Sequence, residues 1–291
     1  MHTTTIIIVA AVVLLIVFLL DREIYYFDGA HLGPKVQGWL YSAWAKKYDH
    51  DKRKTQADDK EVLAQPLLKM LAAEQIDPSK ILVLDVASGT GRFPLILFQQ
   101  PEFTGRVIAA DVAREMLSRS AEKLAPYKDR IELLNREAVP LPFPDGTFDI
   151  VCCVEALELM PSVELALREL ARVLKPGGIM VTSRCTRRWG YQFKLRTPEE
   201  FTRILQALGL EQVEITPWWK WFDRVLARKQ GRFVPSGSRR LMEILQCADC
   251  GSTGWTTVSP QEHSCQKCGA RITASPEGIF IYPQLKDEGK K

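Results

Sequence analysis

The sequence predicts an α/β protein: a doubly wound, mostly parallel sheet with an apolar helix ahead of it and a small cysteine-bearing module behind it. Three observations carry this prediction. Residues 6–20 form an uninterrupted apolar run. Across 81–182, short apolar runs are separated by helix-length segments, the pattern of βαβ units. Near the C-terminus, four of the seven cysteines fall in two C-x-x-C pairs.

The 291 residues suffice for one domain with a sizeable core plus smaller appendages. With 46% hydrophobic and 25% charged residues the composition is that of an ordinary globular protein. A net charge of +4 gives no whole-molecule field that argues for a polyanionic partner. No internal repeat is present. Cysteine usage favours a reducing compartment with a metal site over a disulfide-bonded secreted fold.

The first element is the N-terminal helix. Thr3 to Leu20 gives 18 residues, roughly 27 Å at about 1.5 Å per residue, close to the hydrocarbon thickness of a bilayer. It is apolar around its whole circumference, unlike an amphipathic surface helix. A cleaved signal peptide is the main competitor, but no Lys or Arg precedes the run and Asp21-Arg22-Glu23 follows it where a small-residue site belongs. A buried core helix is the other competitor, and β-branched residues at the extreme terminus fit it poorly. Residues 1–22 are therefore read as a single-pass anchor. Residues 1–5 lack Lys and Arg, whereas Arg22, Lys35, Lys46, Lys47, Lys52, Arg53 and Lys54 follow the helix. The positive-inside rule then places the N-terminus outside and the main body in the cytoplasm.

Residues 23–60 read as an aromatic and charged lid or linker. Tyr41, Trp44 and Tyr48 recur at helical spacing, which suits a lid, an interfacial helix or plain packing.

Residues 81–86 read as a buried strand, followed by the small-residue turn Ala87-Ser88-Gly89-Thr90-Gly91 and a helix from near Arg92. Such a turn lets backbone approach a ligand closely. A second strand, 107–111, ends in Asp111, 20 residues after Gly91, where an acid can accept from ribose hydroxyls. The run Leu141-Pro142-Phe143-Pro144-Asp145-Gly146-Thr147-Phe148-Asp149 leads into a strand at 150–154. Arg172-Val173-Leu174-Lys175-Pro176-Gly177-Gly178 then ends a helix, glycine taking the left-handed cap, before a strand at 179–182. Thr197-Pro198 opens a helix that closes at Gly209, and 213–216 and 222–227 read as two final strands.

The four motifs LDVASGTG, the strand-ending Asp111, LPFPDGTFDIV and RVLKPGG, in this order, resemble the class I S-adenosylmethionine-dependent methyltransferases of the ubiquinone/menaquinone-biosynthesis-like (type 11) group. The resemblance covers residues 60–230 and implies a Rossmann-like, seven-stranded sheet whose last two strands pair antiparallel at one edge, with the domain at 61–230. It implies that Asp85 contacts the methionine amino end of the cofactor. Ala87, Ser88, Gly89, Thr90 and Gly91 would wrap its methionine and ribose portion. Asp111 would bind ribose, Val112 would flank adenine, and Glu137 and Ala138 would meet the adenine amino edge. The family loop commonly begins with glycine where this chain has Ala87, which is tolerated if that residue's φ is negative. The acceptor class implied, together with the anchor, is a small lipophilic molecule, quinone-like or lipid. Glu155, Glu158, His31 and His50 are candidate bases, each equally readable as a solvated surface group, so the catalytic residue is unknown.

At the C-terminus, residues 231–245 read as a basic linker, 246–283 as a zinc ribbon and 284–291 as a charged tail. Cys247-x-x-Cys250-Gly and Cys265-x-x-Cys268-Gly, with 14 residues between the inner cysteines, have the spacing of a structural Zn²⁺ site. His263 lies nearby, but four cysteines leave it no vacancy. A ribbon also raises an RNA or protein methyltransferase, and a non-catalytic assembly protein is a third reading. Residues 246–291 carry five basic and five acidic side chains, so nucleic acid is not favoured. The basic cluster Arg224, Arg228, Lys229, Arg232, Arg239 and Arg240 suits anionic lipid, RNA phosphate or a solvated linker.

Overall fold

Apolar runs with helices on both sides become strands buried on both faces. In the computed structural model, which describes residues 2–25, 29, 31–186 and 196–283, β1 (Leu82–Val86), β2 (Arg106–Asp111) and β4 (Phe148–Cys153) are buried at every position. With β3 (Ile131–Asn135) and β5 (Leu174–Cys185) they form a parallel sheet. β6 (Leu210–Trp219) and β7 (Phe222–Lys229) close one edge antiparallel. The strand order runs β6-β7-β5-β4-β1-β2-β3, with the last two strands antiparallel at one edge as the resemblance implies.

Strand periodicity sorts the core into two layers. Leu82, Leu84 and Val86 share a cluster with α6 (Val163–Val173), α7 (Pro198–Ala207) and the short α8 (Leu241–Ile244). Val83 and Val107 pack with α3 (Gln65–Ala73) and α4 (Arg92–Phe98). α5 (Arg114–Lys123) contributes Leu117 to this second layer. Thr197 caps α7 in a reciprocal capping box with Glu200.

Three expectations need correction. The Lys175-Pro176-Gly177-Gly178 stretch does not cap a helix. α6 stops at Val173, Leu174 is already extended, and the stretch belongs to β5. Gly177 adopts φ +74° for another reason: a Cβ there would stand 2.4 Å from the Phe233 nitrogen.

Residues 231–245 are not a free linker. Ser236 donates its N–H to Asp149 at 2.8 Å, Gly237 donates to the Lys80 carbonyl at 3.0 Å, and Leu241, Ile244 and Leu245 are buried. The basic residues drew the linker reading, and the apolar residues between them decide the packing.

The cysteine module also continues the main sheet. It comprises β8 (Trp255–Ser259), β9 (Glu262–Cys265), β10 (Arg271–Ala274) and β11 (Ile279–Ile281). β11 pairs parallel with β3, Ile279 opposite Leu133 and Ile281 opposite Asn135, so one eleven-stranded sheet results. Residues 284–291, read as a charged tail, lie outside the described residues.

At the other end, α1 spans His2–Tyr25. Its 21 residues Thr4–Ile24 are long and apolar enough to cross a membrane, and none of that window is buried. α2 (Pro34–Lys52) follows and lies over α5, with Ala45 packed against Ala113 and Met116.

Candidate cofactor and acceptor site

Strand order reverses at β1, which lies between β2 and β4. Open α/β sheets bind ligands at this switch point, beyond the C-terminal strand ends. A cavity of 1470 Å³ lies there. Its floor is built from the ends of four strands: Ala87 and Gly89 after β1, Asp111 and Val112 at β2, Arg136 to Ala138 after β3, and Val154, Glu155, Ala156 and Glu158 after β4.

Of the residues expected to hold the cofactor, Ala87, Gly89, Asp111, Val112, Glu137 and Ala138 line this cavity. Asp85, Ser88, Thr90 and Gly91 stand behind them. Asp111 accepts the Gly89 and Ala113 backbone N–H groups, each at 2.8 Å. Burial pushes its carboxyl up to about 6, against those two hydrogen bonds. Asp85 is deeper, and burial raises it to about 8 although Cys152 donates to it. Thr90 is engaged elsewhere: it donates to Asp49 at 2.5 Å and accepts from Lys123 at 2.9 Å, fastening α2 and α5 to the loop.

The loop backbone departs from expectation at its first residue. Ala87 has φ +54°, in the left-handed region, so the negative φ assumed for alanine is not adopted. The turn requires the left-handed conformation there, and alanine carries a steric cost of about 1–2 kcal/mol for it. Gly91 is constrained differently: at φ +78° it begins α4, and a Cβ would stand 2.4 Å from Ser120 Oγ.

The loop suits a cofactor with several polar groups. A Cβ on Gly89 would meet nothing within 4 Å, so its backbone faces open space. Ser88 Oγ is buried without a hydrogen-bond partner among the described residues, a polar atom left for a ligand to satisfy.

α2 forms the roof. Tyr41 and Tyr48 line the cavity, and Gln37 donates to the Leu159 carbonyl at 3.0 Å across it. Gly38 allows the close approach, since a Cβ would lie 3.3 Å from the Val112 carbonyl oxygen. The aromatic stretch thus both lines the cavity and packs against the start of α5. Tyr48 holds its phenolic proton more firmly than usual, through burial first and then the charge of Glu155.

One wall is an ion-pair network that the sequence did not reveal. Arg92 pairs through two nitrogens with Asp59 and donates to Glu155 at 2.5 Å. Glu155 also accepts from Trp219 Nε1 at 3.1 Å and Lys52 Nζ at 3.4 Å, and its backbone is left-handed at φ +52°. The network ties α2, α4, β4 and the β6–β7 turn together. Among the candidate bases, Glu155 and Glu158 line the cavity, and Glu158 is only 3% exposed. His31 pairs with Glu23 and His50 with Asp51, and neither lines the cavity.

The C-terminal module gathers Cys247, Cys250, Cys265 and Cys268, whose sulfurs all lie within 4.8 Å of one another. Cys247 to Cys268 and Cys250 to Cys265 are 3.6 Å apart, near the roughly 3.8 Å edge that four Zn–S bonds of about 2.3 Å would give a tetrahedron. Gly251 and Gly269 close each knuckle with N–H bonds to the Cys247 and Cys265 carbonyls. The donor set fits Zn²⁺.

The basic cluster is largely spoken for. Arg224 pairs with Glu214 and donates to the Val62 carbonyl, Arg228 pairs with Glu74, Lys229 donates to two carbonyls of the α6 end, and Arg239 donates to the Thr147 carbonyl. Four of its six cations are thus held by the protein itself.

A Rossmann-like sheet with a small-residue turn after β1 and an acid at the end of β2 defines the class I S-adenosylmethionine-dependent methyltransferase architecture. Residues 84–182 match the methyltransferase domain family of type 11. That segment resembles the ubiquinone/menaquinone-biosynthesis-like group of that class. It is 39% identical over 104 residues to a demethylmenaquinone methyltransferase of Bacillus licheniformis, covering 36% of this chain and 44% of that one. The corresponding enzyme of Symbiobacterium thermophilum is 44% identical over 98 residues, covering 33% and 39%. That of Staphylococcus aureus is 32% identical over 166 residues, covering 57% and 66%. The chain therefore spans less than half of the first two relatives. Among solved structures, a candidate S-adenosyl-L-methionine-dependent methyltransferase of Methanococcus maripaludis superposes with a TM-score of 0.50 at 19% identity, over 66% of this chain and 95% of that one. That likeness concerns the fold.

Proposed function

We propose that this protein is a membrane-tethered S-adenosylmethionine-dependent methyltransferase whose acceptor is a lipophilic quinol, acting at the cytoplasmic face of the bilayer. One observation carries the reading: a single cavity has a polar, loop-built end for the cofactor and an aromatic, apolar end formed by Tyr41, Leu159, Met160, Trp219 and Phe222. The relatives' names, demethylmenaquinone methyltransferases, supply the acceptor class. The cations that follow α1, absent before it, support the orientation.

When bound, S-adenosylmethionine supplies an electrophilic methyl group on a sulfonium. In this reading Asp85 faces the methionine amino group, Ser88 and the Gly89 backbone meet the carboxylate, and Asp111 takes the ribose hydroxyls. Val112, Glu137 and Ala138 flank the adenine. α2 closes over the cofactor and keeps water out, which favours attack of an acceptor carbon held in line with the methyl. Methylation of that carbon would release a ring proton, to be taken by a carboxylate or water. Glu155 and Glu158 are the carboxylates at hand. Four cysteines hold structural Zn²⁺, leaving no open coordination position for catalysis.

The test is incubation of the full-length protein in nanodiscs with labelled S-adenosylmethionine and demethylmenaquinol. Label is expected in a methylated naphthoquinone. Label in RNA or protein instead would favour the ribbon-directed alternative, and absence of cofactor binding in a calorimetric titration would leave a scaffold that only retains the fold.

A further inference from the structure

The cavity does not stop at the protein surface facing the membrane. Phe18 and Arg22 line it, and both belong to the membrane-spanning stretch Thr4–Ile24. Phe18 lies two residues before Leu20, where the apolar run ends, about 3 Å of helix at 1.5 Å per residue. A cavity wall therefore reaches the apolar run just inside its charged end.

The β6–β7 turn supplies another part of the lining. Trp219, Lys220, Trp221 and Phe222 all line the same cavity. The Lys220 ammonium stands 4.6 Å from the Trp221 ring centre, and the Arg22 guanidinium 5.7 Å from that of Phe18. Tryptophan beside a cation is the chemistry of the headgroup level, where an amphipathic ring and a snorkelling charge both find partners. Trp219 faces inward as well, donating to Glu155 at 3.1 Å and stacking obliquely on Phe222 at 5.6 Å. The turn thus combines a tryptophan–lysine pair of the interfacial kind with a tryptophan held into the site.

Size and energetics agree. At 1470 Å³ the cavity exceeds the range of about 300–1,000 Å³ typical for one drug-sized ligand. It has room for the cofactor and a second molecule. Drawing a polyprenyl tail out of lipid costs about 0.8 kcal/mol for each methylene exposed to water. An opening at the edge of the apolar run lets the tail stay in lipid.

We propose that the acceptor enters this site sideways from the bilayer, between the end of α1 and the Trp219–Phe222 turn, leaving its apolar tail in lipid along Phe18 and Trp221. This rests on the reading of the acceptor as a lipophilic quinol. α1 is then a wall of the acceptor site and not only a tether.

Photolabelling tests it. The full-length protein is placed in phosphatidylcholine/phosphatidylglycerol nanodiscs doped with a phosphatidylcholine that carries a diazirine in one acyl chain. After irradiation, labelled peptides are mapped. Label is expected on the segment containing Trp219–Phe222 as well as on α1. Long-tailed demethylmenaquinol should reduce the turn's label severalfold, whereas the tail-less naphthoquinol should not. Label confined to α1 overturns the portal. So does turn label that stays unchanged while the long-tailed quinol is being methylated. Methylation is scored separately in the same nanodiscs, which tells the two failures apart. Turnover without turn label sinks the portal alone, and turn label without turnover of any quinol sinks the acceptor assignment.

Discussion

Asp111 accepts the backbone N–H of Gly89 at 2.8 Å, so the acid at the end of β2 holds the loop after β1 in place. The carboxylate thus fixes the loop, and in the proposed reading it also presents its remaining lone pairs to the ribose. Asp111→Asn keeps the size but sets an amide NH₂ or a single oxygen against two N–H donors. Cofactor affinity is expected to fall about tenfold to a hundredfold, the equivalent of 1–3 kcal/mol for an unsatisfied buried group. Because burial raises Asp111 to about 6, wild-type affinity should also weaken as pH falls through that value. The variant should lose this slope. Titration calorimetry at several pH values checks both.

Asp85 yields a proton-linkage prediction. With its carboxyl raised to about 8 by burial, it is protonated in the apo protein at neutral pH. A raised acid stabilises the fold fully below its ordinary value and loses that contribution as pH rises toward 8. Apo stability should therefore decline between roughly pH 4 and 8, and Asp85→Asn should flatten the decline. If the cofactor ammonium pairs with Asp85, binding near pH 7 should release about one proton. Calorimetry in buffers of different ionisation enthalpy reads that release directly, and Asp85→Asn should abolish it.

Arg92 is the shared partner of Asp59 and Glu155, all three nearly buried. Removing the guanidinium leaves two carboxylates uncompensated. Arg92→Met is expected to destabilise the fold by about 3–5 kcal/mol. Arg92→Lys should recover only part of this, because an ammonium cannot reproduce the fork that meets Asp59. Urea unfolding of the three proteins checks the order.

What could be read in the sequence follows from how local its cause is. The strand Leu82–Val86, its turn and Asp111 are each encoded within a few residues, by apolar runs, small residues and spacing. The four cysteines are legible for the same reason. The Arg92–Asp59–Glu155 network joins residues 33 and 63 positions apart, and charge alone does not say which acid meets which base. The docking of β11 on β3 joins residues still further apart, and its three residues carry too little pattern to announce a strand. The left-handed backbone of Ala87 was hidden differently. A glycine would have revealed it, whereas alanine suggested the opposite.

That alanine makes a sharp test of local strain. Ala87→Gly removes the steric cost of φ +54°, about 1–2 kcal/mol, while adding about 0.5–1 kcal/mol of unfolded-state entropy. The net expectation is a gain of up to about 1 kcal/mol. Ala87→Val should lose stability, since a β-branched residue tolerates that backbone least. Urea midpoints of the two variants should move in opposite directions.

The last prediction concerns the metal and its distance from the chemistry. Arg136 lines the cavity, donates to the Pro283 carbonyl at 3.0 Å and stands 5.3 Å from the Tyr282 ring centre. Tyr282 in turn donates its hydroxyl to the Gln246 carbonyl, one residue from Cys247. The floor beside Glu137 and Ala138 is thus braced by the end of the cysteine module. Elemental analysis is expected to find one zinc per chain, and Cys268→Ser or chelation to remove it. Loss of the four-thiolate centre should free β11 from β3, expose Arg136 and weaken cofactor binding about tenfold, near 1.4 kcal/mol. The sheet from β6 to β3 has its own two-layer core, so most of its amides should remain protected in hydrogen exchange. Exchange should rise at Ile279–Ile281 and Asn135–Ala138 in step with the loss of affinity. Unchanged cofactor affinity in a zinc-free protein would mean that the module is a passenger on the sheet edge.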